Sequence, residues 1–261
     1  MPVLGLGVWR AEDGDEVRNS VRYAIQQGYR LIDTAAAYYN EAGVGQGIQE
    51  AGVPREELFI TTKVRNQDQG FESTLQAFEE SLKKLKLEYL DLYLIHWPGK
   101  VKFKDTWRAM EKLYEEGRIR AIGVCNFLEH HLDELIDSAR VVPMVNQVEY
   151  HPLLTQVELK QYCQRHQIQM QAWSPLMKGR LDIPLLKQLS EKYGKTPAQI
   201  VLRWDLQNGV VTIPKSVRPE RIVENAQVFD FELSDDDMEA IDNLNENHRF
   251  GFHPDVPFFD Q

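Results

Sequence analysis

The feature that most limits how this chain can fold is a cadence. Short apolar runs that read as β-strands begin near Val3, Leu31, Phe59, Leu90, Ala121, Val145, Gln169 and Val211, at intervals of 28, 28, 31, 31, 24, 24 and 42 residues. Helical patterns fill every interval. The first, over 14–27, sets Val17, Val21, Ala24 and Ile25 on one side and stops at Gly28. The third shows Phe71, Leu75, Phe78, Leu82 and Leu85 at alternating steps of four and three, the stripe that a helix lays on a sheet. Trp107, Met110, Leu113 and Tyr114 mark a fourth helix, and Leu128, Leu132, Leu135 and Ile136 a fifth. The long last interval holds two helical pieces, 183–193 and 197–208, so it requires no second domain.

The strands are unbroken apolar runs such as Leu90-Asp-Leu-Tyr-Leu-Ile95, which suits parallel strands covered on both faces. Strict alternation of strand and helix means an α/β fold with a parallel sheet. A count of eight predicts closure into a (β/α)8 TIM barrel, one domain spanning 1–261. A doubly wound open sheet would need a glycine fingerprint for dinucleotide phosphates. Gly5-x-Gly7 has Arg10 where the third glycine belongs, and Gly43-x-Gly45-x-Gly47 falls inside a predicted helix, so both read as packing glycines. Helix starts are expected at Asn40 as a cap, at Thr155 with Glu158 and Thr196 with Gln199 as capping boxes, and at Ser234 with Asp237 as an acidic version.

Thirty basic against forty acidic residues give a net charge of −10, which repels phosphate backbones and anionic lipid. Nucleic acid and membrane are therefore poor partners, and no run approaches the roughly 20 apolar residues of a membrane span. Two cysteines, Cys125 and Cys163, make no disulfide framework and point to the cytoplasm.

In such a barrel the chemistry sits where strands end. The second strand ends at Asp33, with Tyr38 five residues on. The third ends at Lys63, the fourth at His96-Trp97, the fifth at Cys125-Asn126, the sixth at Asn146-Gln-Val-Glu149, the seventh at Trp173-Ser174 and the eighth at Lys215-Ser216. A phenol titrates near ~10 and becomes a useful acid if a buried cation lowers that value. Lys63 is the candidate cation, Asp33 its counter-ion, and His96 a neutral donor that could orient a carbonyl oxygen. An Asp–Lys pair can be purely structural and a strand-end histidine a satisfied core residue; the coincidence of all four at one rim favours acid–base chemistry. Lys63 would also suit a Schiff-base aldolase. Lys215, Arg218 and Arg221 gather where a strand end runs into a helix N-terminus. Lys215 and Arg221 are read as phosphate contacts, and Arg218 as a solvated face. His130 and His131, adjacent on a helix, are expected to diverge, so no metal site is expected. His151 reads as structural.

The motifs Leu4-Gly-Leu-Gly-Val-Trp9, Gly28-Tyr-Arg-Leu-Ile-Asp-Thr-Ala35, Asp91-Leu-Tyr-Leu-Ile-His-Trp-Pro98, Ile122-Gly-Val-Cys-Asn-Phe127, Asn146-Gln-Val-Glu-Tyr-His-Pro152 and Ile213-Pro-Lys-Ser216, in this order and spacing, resemble the aldo-keto reductases over essentially the whole chain. Pro54-Arg-Glu-Glu-Leu-Phe59 and the short tail look like the bacterial branch of 2,5-diketogluconate and glyoxal reductases, with prostaglandin F synthases close by. The resemblance implies reduction of small aldehydes and ketones to alcohols with NADPH, held without a Rossmann fold, in a monomer. It implies Tyr38 as proton donor, Lys63 depressing its pKa, Asp33 paired with Lys63, and His96 positioning the carbonyl. Asn126 and Gln147 would meet the nicotinamide amide and Trp173 its ring, with Ser174, Leu176 and Val217 completing the cofactor contacts. Lys215, Ser216 and Arg221 would take the 2′-phosphate, Glu224 and Asn225 the adenine, and Trp9 and Trp97 the substrate pocket. The departures from that family's pattern are Cys125 for the usual serine, Trp173 for a frequent tyrosine, and an opening at Met1-Pro-Val without the usual bottom hairpin. The competing class is a nicotinamide-binding regulatory subunit on the same barrel.

Overall fold

In the computed structural model, which describes residues 1–99 and 102–256, eight parallel strands lie in chain order in one sheet. They are β1 (Gly5–Gly7), β2 (Leu31–Asp33), β3 (Phe59–Val64), β4 (Leu92–Ile95), β5 (Ile122–Cys125), β6 (Val145–Glu149), β7 (Gln169–Trp173) and β8 (Val211–Thr212). Parallel bridges Leu4–Thr212 and Gly7–Lys215 bring β8 back to β1 and close the ring. Gly7 permits that seam: a Cβ there would lie 2.8 Å from the Ile213 carbonyl oxygen. The expected TIM barrel is the observed fold.

The helices are α1 (Asp15–Gln26), α2 (Glu41–Ala51), α3 (Phe71–Leu85), α4 (Phe103–Glu115), α5 (Glu129–Ile136), α6 (Val157–Arg165), α7 (Pro184–Tyr193), α8 (Pro197–Gln207), α9 (Pro219–Ala226) and α10 (Asp235–Asp242). Most apolar burial lies between the outer strand faces and these helices, where Ile32, Ile60, Tyr93, Ile122 and Val148 join Val21, Phe78, Trp107 and Trp204 in one cluster. The glycines of α2 are packing residues as expected. At Gly45 a Cβ would stand 2.4 Å from the Leu85 carbonyl oxygen, so α2 can cross the end of α3 closely. The barrel interior is different. Its apolar residues form two small groups, Leu92, Leu94, Cys125 and Val145 on one side and Leu31, Val211 and Ile213 on the other.

Local punctuation agrees with the sequence in part. Thr196 accepts from the Gln199 N–H and Gln199 returns the contact, a complete box with Pro197 at the first turn. Ser234 accepts from the Asp237 N–H, but its own N–H goes to the Tyr193 hydroxyl, so only half of that box forms. The box expected at Thr155 is absent. α6 opens after Gln156, which takes φ 44° because its side chain turns inward to donate to the Glu149 carbonyl oxygen. Asn40 sits at the N-cap of α2 without capping it. Its amide donates to the Val8 and Ala11 carbonyls and its Oδ1 accepts from Thr34, tying the loops after β1 and β2 together.

Candidate active site

Four side chains meet where β2, β3 and β4 end. Asp33 closes β2, and a single turn, Ala36–Tyr38, brings the phenol back beside β3. Lys63 is fully buried. Its ammonium donates to Asp33 Oδ1 at 2.6 Å, the Thr34 carbonyl at 2.8 Å and the Tyr38 hydroxyl at 3.3 Å. The three protons of an ammonium thus find three acceptors. Since the Tyr38 oxygen accepts from Lys63, the phenol's own proton is free to point into the rim. The His96 ring packs edge-on to Tyr38, with centroids 5.6 Å apart.

Burial and the mutual charges of these groups set their ionisation. Burial, then the Lys63 charge, push the His96 imidazole down to about 3, so it is neutral at physiological pH. Lys63 lies above its ordinary value: burial pulls it down, but Asp33, Tyr38 and Cys125 outweigh that. Tyr38 was expected to be depressed. Instead burial pushes it up to about 12, with Asp33 and Cys125 adding to the rise and Lys63 opposing it. The cation works in the expected direction, but desolvation of the phenolate is the larger effect.

Around this cluster the ends of β5, β6 and β7 carry a second set of polar groups. Gln147 Nε2 donates to Asp33 Oδ2 at 2.7 Å and to Gln171 Oε1 at 2.9 Å. Asn126, at φ 63°, donates to the His96 carbonyl at 3.0 Å and accepts from Trp173 Nε1 at 2.8 Å. Cys125 lies between them, its sulfur 3.6 Å from Gln147 Oε1 and 3.2 Å from Asn126 Nδ2. Burial first, then the Asp33 charge, push this thiol well above its ordinary value, so it stays neutral. Trp173 is followed by Ser174 at φ 54° and by the half-buried Leu176. Glu149, at the end of β6, accepts from the N–H groups of Phe250 at 2.7 Å and Gly251 at 3.1 Å, with His151 Nε2 at 3.1 Å. Burial works against the charge of Glu149, but those hydrogen bonds hold its carboxyl below the usual range. The tail so anchored lies against Trp173: a Cβ on Gly251 would come within 2.4 Å of that ring. Sequence reasoning did not find this anchor, nor Gln171; the only signal for the latter is that it shares the inward face of β7 with Trp173, two residues on.

After β8 the character changes. Lys215 and Arg221 are exposed, and among the described residues neither enters an ion pair. The Ser216 hydroxyl accepts from the Arg218 N–H at 3.1 Å, a turn that aims the chain into α9, with Val217 half-buried inside it. The first-turn N–H groups of α9 open beside these cations, an arrangement that suits a phosphate. Asn225 is buried, whereas the Glu224 carboxylate accepts from the Thr196 hydroxyl at 2.9 Å and is engaged with the cap of α8. Of the two expected pocket tryptophans, Trp9 is exposed on the rim under the Arg10 guanidinium at 4.3 Å. Trp97 is half-buried, and its carbonyl accepts from Gln69 at 2.9 Å. Cation pair, helix start, amide pair and indole together fit a phosphorylated nicotinamide dinucleotide.

His130 and His131 do not diverge. Their rings lie 4.0 Å apart, and both Nε2 atoms face Asp255 Oδ1, at 2.9 Å and 3.2 Å. The tail supplies a shared acceptor that helix geometry alone does not foresee. The Leu128 N–H donates to His131 Nδ1, so the neutral ring carries its proton on Nε2, toward Asp255. That is a hydrogen-bonded clasp, whereas a ligating histidine donates from its other nitrogen.

A sequence model of the aldo/keto reductase family matches residues 3–246. The chain is 63% identical over 260 residues to the glyoxal reductase of Bacillus subtilis (strain 168), covering 99% of this chain and 94% of that protein. It is 50% identical over 260 residues to the methylglyoxal reductase DkgA of Escherichia coli (strain K12), covering 98% and 94%. Among solved structures, a Gox0644 mutant in complex with NADPH superposes with a TM-score of 0.93 at 45% identity, covering 98% of this chain and 94% of that one.

Proposed function

The chain belongs to the aldo/keto reductase family, and from this we propose that it reduces small reactive aldehydes and ketones, 2-oxoaldehydes such as glyoxal and methylglyoxal first among them, to alcohols with NADPH. The single observation that carries the reading is the convergence of Lys63, Asp33 and Tyr38 beside a neutral His96. Glyoxal and methylglyoxal are the substrates named for two of the relatives.

NADPH would be held by Lys215, Ser216 and Arg221 at its 2′-phosphate and by Asn126, Gln147 and Trp173 at its nicotinamide, and when bound it supplies the hydride. The chain's own residues do the rest. His96, neutral and with no ring hydrogen bond among the described residues, donates to the carbonyl oxygen and orients it. Tyr38 donates the proton that the oxygen takes up as the carbonyl carbon is reduced. An alkoxide is a stronger base than even a desolvated phenolate, so the raised Tyr38 value does not oppose this transfer. Lys63 stands ready to stabilise the phenolate left behind, and Asp33 holds Lys63 in place. These donors sit where negative charge develops, so they favour the transition state over the substrate. Trp9 and Trp97 exclude water from the pocket. Domain organisation and setting belong to the same reading: one barrel working as a cytoplasmic monomer. No helix among the described residues is long and apolar enough to cross a membrane, and light scattering should return the mass of a single chain.

Loss of NADPH absorbance with methylglyoxal tests the reaction. Tyr38→Phe should lower kcat by ~10²–10⁴-fold, the worth of positioned acid catalysis, with NADPH affinity unchanged. Ordinary turnover by that variant would remove Tyr38 from the mechanism. Tight NADPH binding without turnover of any carbonyl would favour a regulatory barrel, and borohydride trapping of substrate on Lys63 an aldolase.

A further inference from the structure

We propose that Gln171 is a positioning residue that makes Gln147 a pure hydrogen-bond acceptor toward the carboxamide of the bound nicotinamide. The inference rests on the assignment of Gln147 to that carboxamide.

β6 and β7 run in register with Gln147 opposite Gln171, so both side chains enter the barrel at one level. A glutamine amide has two N–H donors and one carbonyl acceptor. Asp33 Oδ2 takes one Gln147 donor at 2.7 Å and Gln171 Oε1 takes the other at 2.9 Å. Only Gln147 Oε1 is then left to meet a ligand, and it accepts no more than a weak 3.6 Å contact from the Cys125 thiol among the described residues. With Gln171 removed, one N–H would be free. The Gln147 amide could then swing to offer either a donor or an acceptor.

Gln171 occupies this position at a cost. It is fully buried, and its own Nε2 has no partner among the described residues. A buried unpaired amide donor lowers stability relative to an apolar side chain of the same shape. The part of Gln171 that is used is its carbonyl oxygen, and among the described residues the one group it holds is Gln147. Two residues along the same strand, Trp173 Nε1 fixes Asn126 Oδ1. β7 therefore orients both amides at the nicotinamide position, one through each side chain.

The test is equilibrium binding, read by tryptophan fluorescence, of NADP⁺ and of its 3-acetylpyridine analogue, which has no carboxamide N–H to donate. The native protein should bind NADP⁺ about tenfold more tightly than the analogue, the size of one buried hydrogen bond. Gln171→Met keeps length and removes the acceptor; it replaces the unpaired Gln171 N–H by an unpaired Gln147 N–H, so it should bring the two affinities together with little change in melting temperature. Gln171→Leu serves if the methionine variant does not fold. Gln171→Glu, which keeps an acceptor oxygen, should restore the preference. Discrimination that survives in Gln171→Met while Gln147→Met abolishes it would overturn the role of Gln171 alone. A native protein that does not discriminate would overturn the Gln147 assignment and this inference with it.

Discussion

The ends of β2 and β3 and the start of α9 both concentrate charge, and they treat it in opposite ways. At the first, Lys63 and Asp33 are buried and every ammonium proton has an internal acceptor. At the second, Lys215 and Arg221 stand in solvent with no ion pair among the described residues. A charge in the barrel interior must be answered from within, because desolvating it unpaired costs several kcal/mol. A charge on the rim is hydrated by water and can wait for a ligand. The Lys63–Asp33 pair is thus part of what holds the barrel together, while Lys215 and Arg221 can be altered with little effect on the fold.

Lys63→Met strikes hardest at this contrast. It leaves the Asp33 carboxylate buried without its cation and should cost ~3–5 kcal/mol of stability, read as a fall in the urea midpoint. Adding Asp33→Asn should recover most of that midpoint but no turnover. A single variant as stable as the native protein would break the contrast. Lys215→Ala, by comparison, should leave stability within ~0.5 kcal/mol and weaken NADPH roughly tenfold, a charge-assisted contact, while NADH binding stays the same. Equal losses for both cofactors would undo the 2′-phosphate assignment.

The smallest effect is a titration that does not happen. His96 sits near 3 in the folded chain, below the ~6.5 of a free imidazole. Protonation therefore favours the unfolded chain, and this residue removes stability as pH falls from about 6.5 toward 3. Between pH 5 and 8 its ring signals in NMR should stay those of a neutral imidazole. A midpoint of titration inside that range would contradict the desolvated rim.

How much of this was legible beforehand depended on the range of the interactions. The spacing of apolar runs, the α3 stripe and the Thr196–Gln199 box are written within a turn or a strand, so pattern alone finds them. The meeting of Asp33, Tyr38 and Lys63 was legible because a parallel barrel sends all strand ends to one rim. The choice of hydrogen-bond partner was not. Asn40 looks like a cap yet joins two loops, Thr155 looks like a cap yet the helix starts after Gln156, and His131 finds its acceptor in the tail. For Asn40 and His131 a residue beyond the local turn supplied the partner, whereas at Thr155 the inward turn of Gln156 left the hydroxyl without one among the described residues.

The amino-acid sequence by itself determined the eight-stranded barrel, the rim that gathers Asp33, Tyr38, Lys63 and His96, and the place of Lys215 and Arg221 around the start of α9. Hydrophobic periodicity and strand-end position suffice for these, because both follow from geometry repeated along the chain. Only the tertiary structure decided the balance of forces on Tyr38, where burial outweighs the Lys63 charge. It also joined Gln171 through Gln147 to Asp33, 114 residues before Gln147 in the chain. Desolvation and hydrogen-bond pairing depend on which side chains share a closed interior, and that is settled when the ring of strands closes.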